Sequence, residues 1–234
     1  MPSVSRPLRV WSLVLCLTAS LTTLLAPNAA HAQASTGTSG LERQLERIDF
    51  GVGAAGIISR DTSGTNSLGQ TVDHNTSSTA GALIQIRYTK SPWIGGEFNV
   101  GYARYSHNFT TTGTTTTPPS FLPFLSAQTN SFEFTLGYVA HPPHLIGGFQ
   151  PFFGGGGGAV YFHPTSGGGE GLPNQAVGAF YYSGGVERAI VPHVGFRAQF
   201  RQLFYQSPDF FQNYLYNGKR SSTIEPTAGF YLHF

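Results

Sequence analysis

Charge is what this 234-residue chain has least of: Asp, Glu, Lys and Arg make up 10% of it, against about 25% in an ordinary soluble domain. Its 13 basic and 11 acidic residues nearly cancel, which excludes a nucleic-acid partner held by a basic face. There is a single cysteine, Cys16, so neither an intramolecular disulfide nor a cysteine-based zinc site is available. Beyond the N-terminus no apolar run is long enough for a transmembrane helix, which takes about 20 residues. Disorder is excluded by a hydrophobic content of 40% and an aromatic content of 14%.

Residues 1–32 read as a secretory signal peptide. Arg6 and Arg9 supply the positive start, an apolar stretch runs from Val10 to Ala26, and Ala30-His31-Ala32 is an A-x-A cleavage site, with cleavage expected after Ala32. An uncleaved anchor would need a longer stretch, without the Ser and Thr that interrupt this one. Cys16 follows Val14-Leu15 rather than the small residues of a lipoprotein site. Cleavage removes Cys16, Arg6 and Arg9, leaving as many basic residues as the 11 acidic ones.

Residues 33–47 form a polar N-terminal segment with the makings of a short helix, since Leu41 and Leu45 share a helical face. From residue 48 to 234 the period changes to two, the mark of strands. Phe50, Val52, Ala54 and Ile58 alternate with Asp49, Gly51, Gly53 and Ser59. Ala82, Ile84, Ile86 and Tyr88 alternate with Leu83, Gln85, Arg87 and Thr89; Phe98, Val100 and Tyr102 with Glu97, Asn99, Gly101 and Ala103. The same holds for Phe132–Tyr138 against Glu133, Thr135 and Gly137, and for Val194–Phe200 against Gly195, Arg197, Gln199 and Arg201. At the end, Ile224, Ala228, Phe230, Leu232 and Phe234 oppose Thr223, Glu225, Thr227, Gly229, Tyr231 and His233. Gly148–His163, diluted by the run Gly154–Gly158, and Gln175–Arg188 bring the predicted strands to eight. The glycine run is read either as a strand segment held by pairing on both edges or as a tightly curved region.

Connections alternate in length. Long polar stretches (Asp61–Ser78, His107–Gln128, Pro164–Asn174, Ser207–Ser222) alternate with short ones (Lys90–Pro92, Val191–His193). The connection through His141-Pro142-Pro143-His144 is intermediate. An outer-membrane barrel sorts its connections this way, with long loops outside and short turns in the periplasm. The polar face holds Asp49, Arg87, Glu97, Glu133, Glu187, Arg197, Arg201 and Glu225 among small and neutral residues. That is too little charge for a water-facing surface but suits a narrow lumen packed with side chains. The expected fold is all-β: an eight-stranded antiparallel up-and-down transmembrane β-barrel over residues 48–234. A soluble secreted barrel or sandwich, with the apolar faces as its core, is the competing reading.

Three stretches carry a family likeness. Ser183–Arg201 (SGGVERAIVPHVGFRAQFR), Gln150–Gly156 (QPFFGGG) and Gly229–Phe234 (GFYLHF) resemble, in turn, the sixth strand, proline turn and seventh strand, the "PY-x-G-x-G" fifth strand, and the C-terminal signal of the outer-membrane β-barrel domain family, the eight-stranded kind typified by outer membrane protein A. The resemblance implies a cell outer membrane location, contact with outer-membrane lipid and lipopolysaccharide, and recognition of Phe230, Leu232 and Phe234 by the barrel-assembly machinery. No peptidoglycan-binding domain, present in longer members, is expected.

The eight lumen charges are expected either to pair into a plug or to line a gated ion path. The apolar loop residues Phe121, Phe124, Phe210, Phe211, Tyr214 and Tyr216 are expected either to pack over the barrel mouth or to present a contact surface, since exposed apolar patches mark interaction sites. His74, His107 and His163 are expected in outer loops, and His141, His144 and His193 in periplasmic turns. No three ligands converge for a metal, no cofactor motif is present, and no G-x-S-x-G elbow supports an enzyme. The reading is a structural or surface-interaction protein. A narrow channel or a transporter of small or hydrophobic solutes is the alternative.

Overall fold

The computed structural model describes residues 40–113 and 124–234. A short helix, α1 (Gly40–Leu45), precedes ten strands: β1 (Ile48–Ser59), β2 (Thr62–Thr65), β3 (Thr71–Thr76), β4 (Thr79–Ser91), β5 (Ile94–Thr112), β6 (Phe124–Ala140), β7 (Gln150–Pro164), β8 (Gln175–Val191), β9 (Val194–Gln206) and β10 (Arg220–His233). The expected signal peptide and its cleavage site lie outside the described residues, as does Phe121.

Eight of these strands close on themselves. β1, β4, β5, β6, β7, β8, β9 and β10 pair antiparallel in chain order, and β1 pairs with β10 to complete the ring. Strands β2 and β3 are the difference from the eight predicted. They form a hairpin inside the stretch Asp61–Ser78, which the sequence reading takes as loop, and β3 pairs with the overhang of β5 from His107 to Thr112. The overhang corrects a second expectation. His74, His107 and His163 sit on strands β3, β5 and β7 rather than in loops, because β5 and β6 stay paired from Ile94↔Ala140 to Thr110↔Phe124 and β7 stays paired with β6 to Thr129↔Pro164.

At one end of the barrel, the turn end, connections are tight. Ser91 Oγ accepts a hydrogen bond from the Ile94 N–H (3.3 Å). Ile146 and Phe149 exchange two backbone bonds of 2.9 and 3.0 Å across Gly147 and Gly148, whose φ values of 60° and 80° are those a two-residue hairpin turn needs at both central positions. The other end, the loop end, carries the β2–β3 hairpin and the long connections.

The period-two pattern resolves into an inside and an outside. Lumen residues such as Arg87, Glu97, Asn99, Thr135 and Arg201 are almost fully buried. Their neighbours in sequence face out: Leu136 is 67% exposed, Tyr138 72% and Phe230 60%. A belt of Val52, Ile58, Ile84, Ile86, Phe98, Phe134, Phe153, Phe200 and Leu232 completes the outer surface, far larger than the apolar patch a soluble monomer exposes.

The glycine run belongs to a fully paired strand: Gly154–Gly158 pair with Ser183–Ala179 on one side and with Val139–Thr135 on the other. A Cβ on Gly156 would lie 2.2 Å from the Leu136 carbonyl oxygen, and one on Gly158 2.0 Å from that of Phe134. Only glycine lets β7 come this close to β6.

Candidate functional site

The cross-strand register assembles the lumen charges before any side chain is considered. It sets Arg87 opposite both Asp49 and Glu97, Glu187 opposite Arg197, and Glu225 opposite Arg201. Directly opposite residues on one face are within reach of each other. Near the turn end, Arg87 Nε donates to Glu97 Oε2 (2.9 Å) and Nη1 to Glu187 Oε2 (3.2 Å), while Arg197 Nε donates to the same Glu187 oxygen (2.9 Å). Arg197 also pairs with Asp49 at 3.5 Å. His141 and His233 approach Glu187 and Asp49 at 3.3 and 2.7 Å. One layer further in, Arg201 bridges Glu133 and Glu225 at 2.5 and 2.7 Å. The structure thus brings all eight lumen candidates into two adjoining clusters. Charged groups with excellent geometry can stay ionised away from water.

Aromatic rings close the remaining space. The Arg87 guanidinium lies 4.1 Å from the Phe152 ring centre, and Arg201 lies 4.8 Å from that of Tyr181. Tyr181 Oη donates to Glu97 Oε1 (2.7 Å) and accepts from Asn99 Nδ2 (3.2 Å). Gln85 Nε2 donates to Asn99 Oδ1 (2.9 Å) and to Gln199 Oε1 (3.3 Å). In the sequence, only a place on the polar face marks Tyr181, Gln85, Asn99 and Gln199.

Above the charges the lumen turns apolar. Tyr105, Val160, Phe162, Leu203 and Tyr205 form its core, around a cavity of about 30 Å³, room for one or two waters. At the turn end an open vestibule of about 300 Å³ is lined by Asp49, His141, Gln150, Glu187, Tyr231 and His233, and its Asp49 and Glu187 are the acids that pair with Arg197.

The loop end has its own closure. The loop after β9 turns Phe210 and Leu215 inward, where both are buried, with φ of 50° at Phe210 and 57° at Phe211. Consecutive left-handed non-glycine residues are strained and persist only where packing holds them. Here the Phe210 ring packs against His107 (5.5 Å), Phe109 (6.3 Å) and Phe162 (6.4 Å). Beneath it runs a buried chain: Ser207 Oγ and His74 Nδ1 are 2.7 Å apart, and His74 Nε2 and His107 Nδ1 2.8 Å. Both histidines stand above the apolar belt. Burial lowers the His74 pKa to about 4, and burial together with the neighbouring His74 holds His107 well below the usual range.

The loop candidates therefore divide. Phe210 is a plug residue, not a surface contact, because the inward turn of its loop buries it completely. Tyr214 packs partly against the same core. Phe124, Phe211 (69%) and Tyr216 (40%) are exposed. The C-terminal residues Phe230, Leu232 and Phe234 face outward on or just beyond β10.

Among solved structures, neisserial surface protein A (NspA) aligns over 80% of this chain and 97% of its own, at 15% identity and a TM-score of 0.50. This chain has the eight-stranded outer-membrane β-barrel fold. Ail, the attachment invasion locus protein of Yersinia pestis, aligns at 12% identity over 79% of this chain and 97% of its own, with a TM-score of 0.42. Outer membrane protein AlkL aligns at 14% identity over 89% and 97%, with a TM-score of 0.44. No protein-family model matches the sequence, and no curated sequence is significantly similar. Within the outer-membrane barrel fold, the lumen of this chain is filled by the charged, polar and aromatic side chains described above. Its side chains occupy the space that eight strands enclose.

Proposed function

We propose that the chain is an integral outer-membrane protein with a sealed lumen, non-conducting and non-catalytic, that serves membrane integrity or contact at the cell surface. The observation that carries this is the pair of closures in series. The adjoining Arg87–Arg197 and Arg201 clusters block the lumen toward the turn end, and the Phe210 plug blocks it at the loop end. The apolar belt supports placement in a bilayer, since such a surface in water would drive association. The turn end then faces the periplasm, and Phe124, Phe211 and Tyr216 face the exterior. The outward-facing end of β10 suits recognition by the assembly machinery. A non-catalytic role is supported by the burial of the Ser207–His74 pair, which no substrate reaches.

Planar bilayer recording tests the reading. Inserted protein should leave the bilayer at its baseline conductance, and a variant with both Arg87→Ala and Arg201→Ala should give measurable steps. Steady single-channel steps from the unaltered protein would replace this reading with the narrow channel.

A further inference from the structure

Near the loop end the outward wall of the barrel is notched. Along β8 the outward side chains shrink to Ala176 and Gly178 above Phe180, and a Cβ on Gly178 would meet nothing within 4 Å. The open space is about 540 Å³, bordered by Gly178, Phe180, Phe204, Gln206 and Arg220. Register explains why these residues meet: Phe180 pairs with Phe204, and Gln206 pairs with Arg220. The two phenylalanine rings stack at 4.8 Å and 10°, forming an apolar wall, and the exposed Arg220 guanidinium lies 6.0 Å from the Phe180 ring centre.

Cations outnumber carboxylates beside the notch, where Asp61, next to Arg60, is the exposed acid. Lys219 adjoins Arg220, and Arg60 is tied to the same strand by its N–H bond to the Ser222 carbonyl (2.8 Å). All three cations are exposed, and among the described residues none has an ion-pair partner. The carboxylate reached through the notch's lining, Asp209, already accepts bonds from Gln175 Nε2 (2.7 Å) and the Phe211 N–H (3.0 Å). Ile58 and Ile224 are the last outward apolar residues of β1 and β10, so the cations stand just above the apolar belt. Phe180 and Phe204 stand at its upper edge.

We propose that this notch binds a phosphorylated glycolipid of the outer leaflet, of the lipid A class. Arg220, with Arg60 and Lys219, takes a phosphate, and one acyl chain lies along the Phe180–Phe204 wall. A guanidinium and a phosphate make charge-assisted hydrogen bonds, and the aromatic floor fits hydrocarbon. Arg220 on the border of the groove, with Lys219 next to it in sequence and Arg60 just past the end of the paired strand, matches a ligand carrying more phosphate than an ordinary glycerophospholipid. The proposal rests on the membrane placement above.

The test is native mass spectrometry of the full mature chain, refolded in detergent micelles and checked for an SDS-gel mobility shift on boiling. The probes are diphosphoryl lipid A, dephosphorylated lipid A and phosphatidylglycerol. The unaltered barrel should retain diphosphoryl lipid A. Arg220→Glu should weaken retention about tenfold, the scale of losing one hydrogen bond to a charged group. Gly178→Phe should do likewise by filling the notch, where the open space lets the barrel fold normally. Equal retention by both variants, or equal retention of phosphatidylglycerol or of dephosphorylated lipid A, would overturn the proposal. A shifted barrel that holds no lipid A overturns it alone; a chain that never acquires the shift overturns the membrane placement with it.

Discussion

Arg201 holds two carboxylates, Glu133 and Glu225, with almost no solvent to share the charge. Replacing it with Met keeps a similar reach but leaves the two acids facing each other. Removing one partner of a buried ion pair costs about 3–5 kcal/mol, because the remaining charge stays buried. Arg201→Met should therefore lower the stability of the folded barrel in micelles by about that amount, read as a lower urea midpoint at unchanged slope. Adding Glu133→Gln and Glu225→Gln to the same chain should recover most of the loss. An Arg201→Met barrel as stable as the parent would mean that water already solvates the pair. These residues were legible as lumen charges because alternation alone assigns a face. Their partners were not. That Arg201 reaches Glu133, 68 positions away in sequence, depends on barrel closure, which periodicity does not encode. The outer contact residues show the same limit: Phe210 and Phe211 are adjacent and identical, yet one is buried and the other exposed.

At the scale of elements, the strands that were easiest to read carry bulky apolar residues at every second position. β2 and β3 escaped because, apart from Val72, Thr62–Thr65 and Thr71–Thr76 are built from Thr, Ser, Gly, Asn, Asp and His, a turn-like composition. They become strands only because β5 overhangs the belt and offers a free edge. The hairpin they form braces the loop after β9. Asn66 Nδ2 donates to the Tyr214 carbonyl (3.3 Å) and Asn217 Nδ2 to Thr62 Oγ1 (3.0 Å). The His74–His107 pair under that loop makes the closure sensitive to acid. Around the pair stand Ser207, Thr76, Tyr105, Phe109, Phe162 and Phe210, and among the described residues no carboxylate pairs with either histidine. The opened loop end binds protons near the ordinary histidine pKa of about 6.5, whereas the closed one waits until about 4 at His74. Closure is therefore at full strength above about pH 6.5 and weakens as pH falls toward 4, by about 3 kcal/mol for His74. Amide protection at Gln212 and Leu215, corrected for intrinsic exchange, should fall across that window. A chain with both His74→Phe and His107→Phe should show no such fall. Protection that is flat with pH in the unaltered protein would show that the loop is held independently of the histidines.

Across the whole molecule, closure makes the barrel a single cooperative object, and its weakest seam is where the chain's ends meet. Every other neighbouring barrel pair is ladder-paired along its shared length, with small shifts at two turn-end positions. Between β1 and β10 the pairing lapses from Ala55↔Thr227 to Ile58↔Ile224. Pro226 sits in that interval. It has no N–H to donate, and it stays registered with Phe200 of β9, so the missing bond falls on the β1 side. In SDS the folded barrel should keep its compact mobility until heated, because detergent must open a paired edge before it can unfold the chain. The seam predicts where that opening starts. Pro226→Val restores a donor and retains an outward apolar side chain, adding up to one ladder bond, a net of about 1 kcal/mol. The temperature at which the unboiled form converts to the slower one should therefore rise in the Pro226→Val barrel. A matching change on a fully paired strand, such as Ala198→Val, should leave it within error. If both substitutions shift the conversion equally, opening does not begin at the β1–β10 seam. If the unaltered protein shows no conversion at all and stays soluble without detergent, the apolar belt is not membrane-facing.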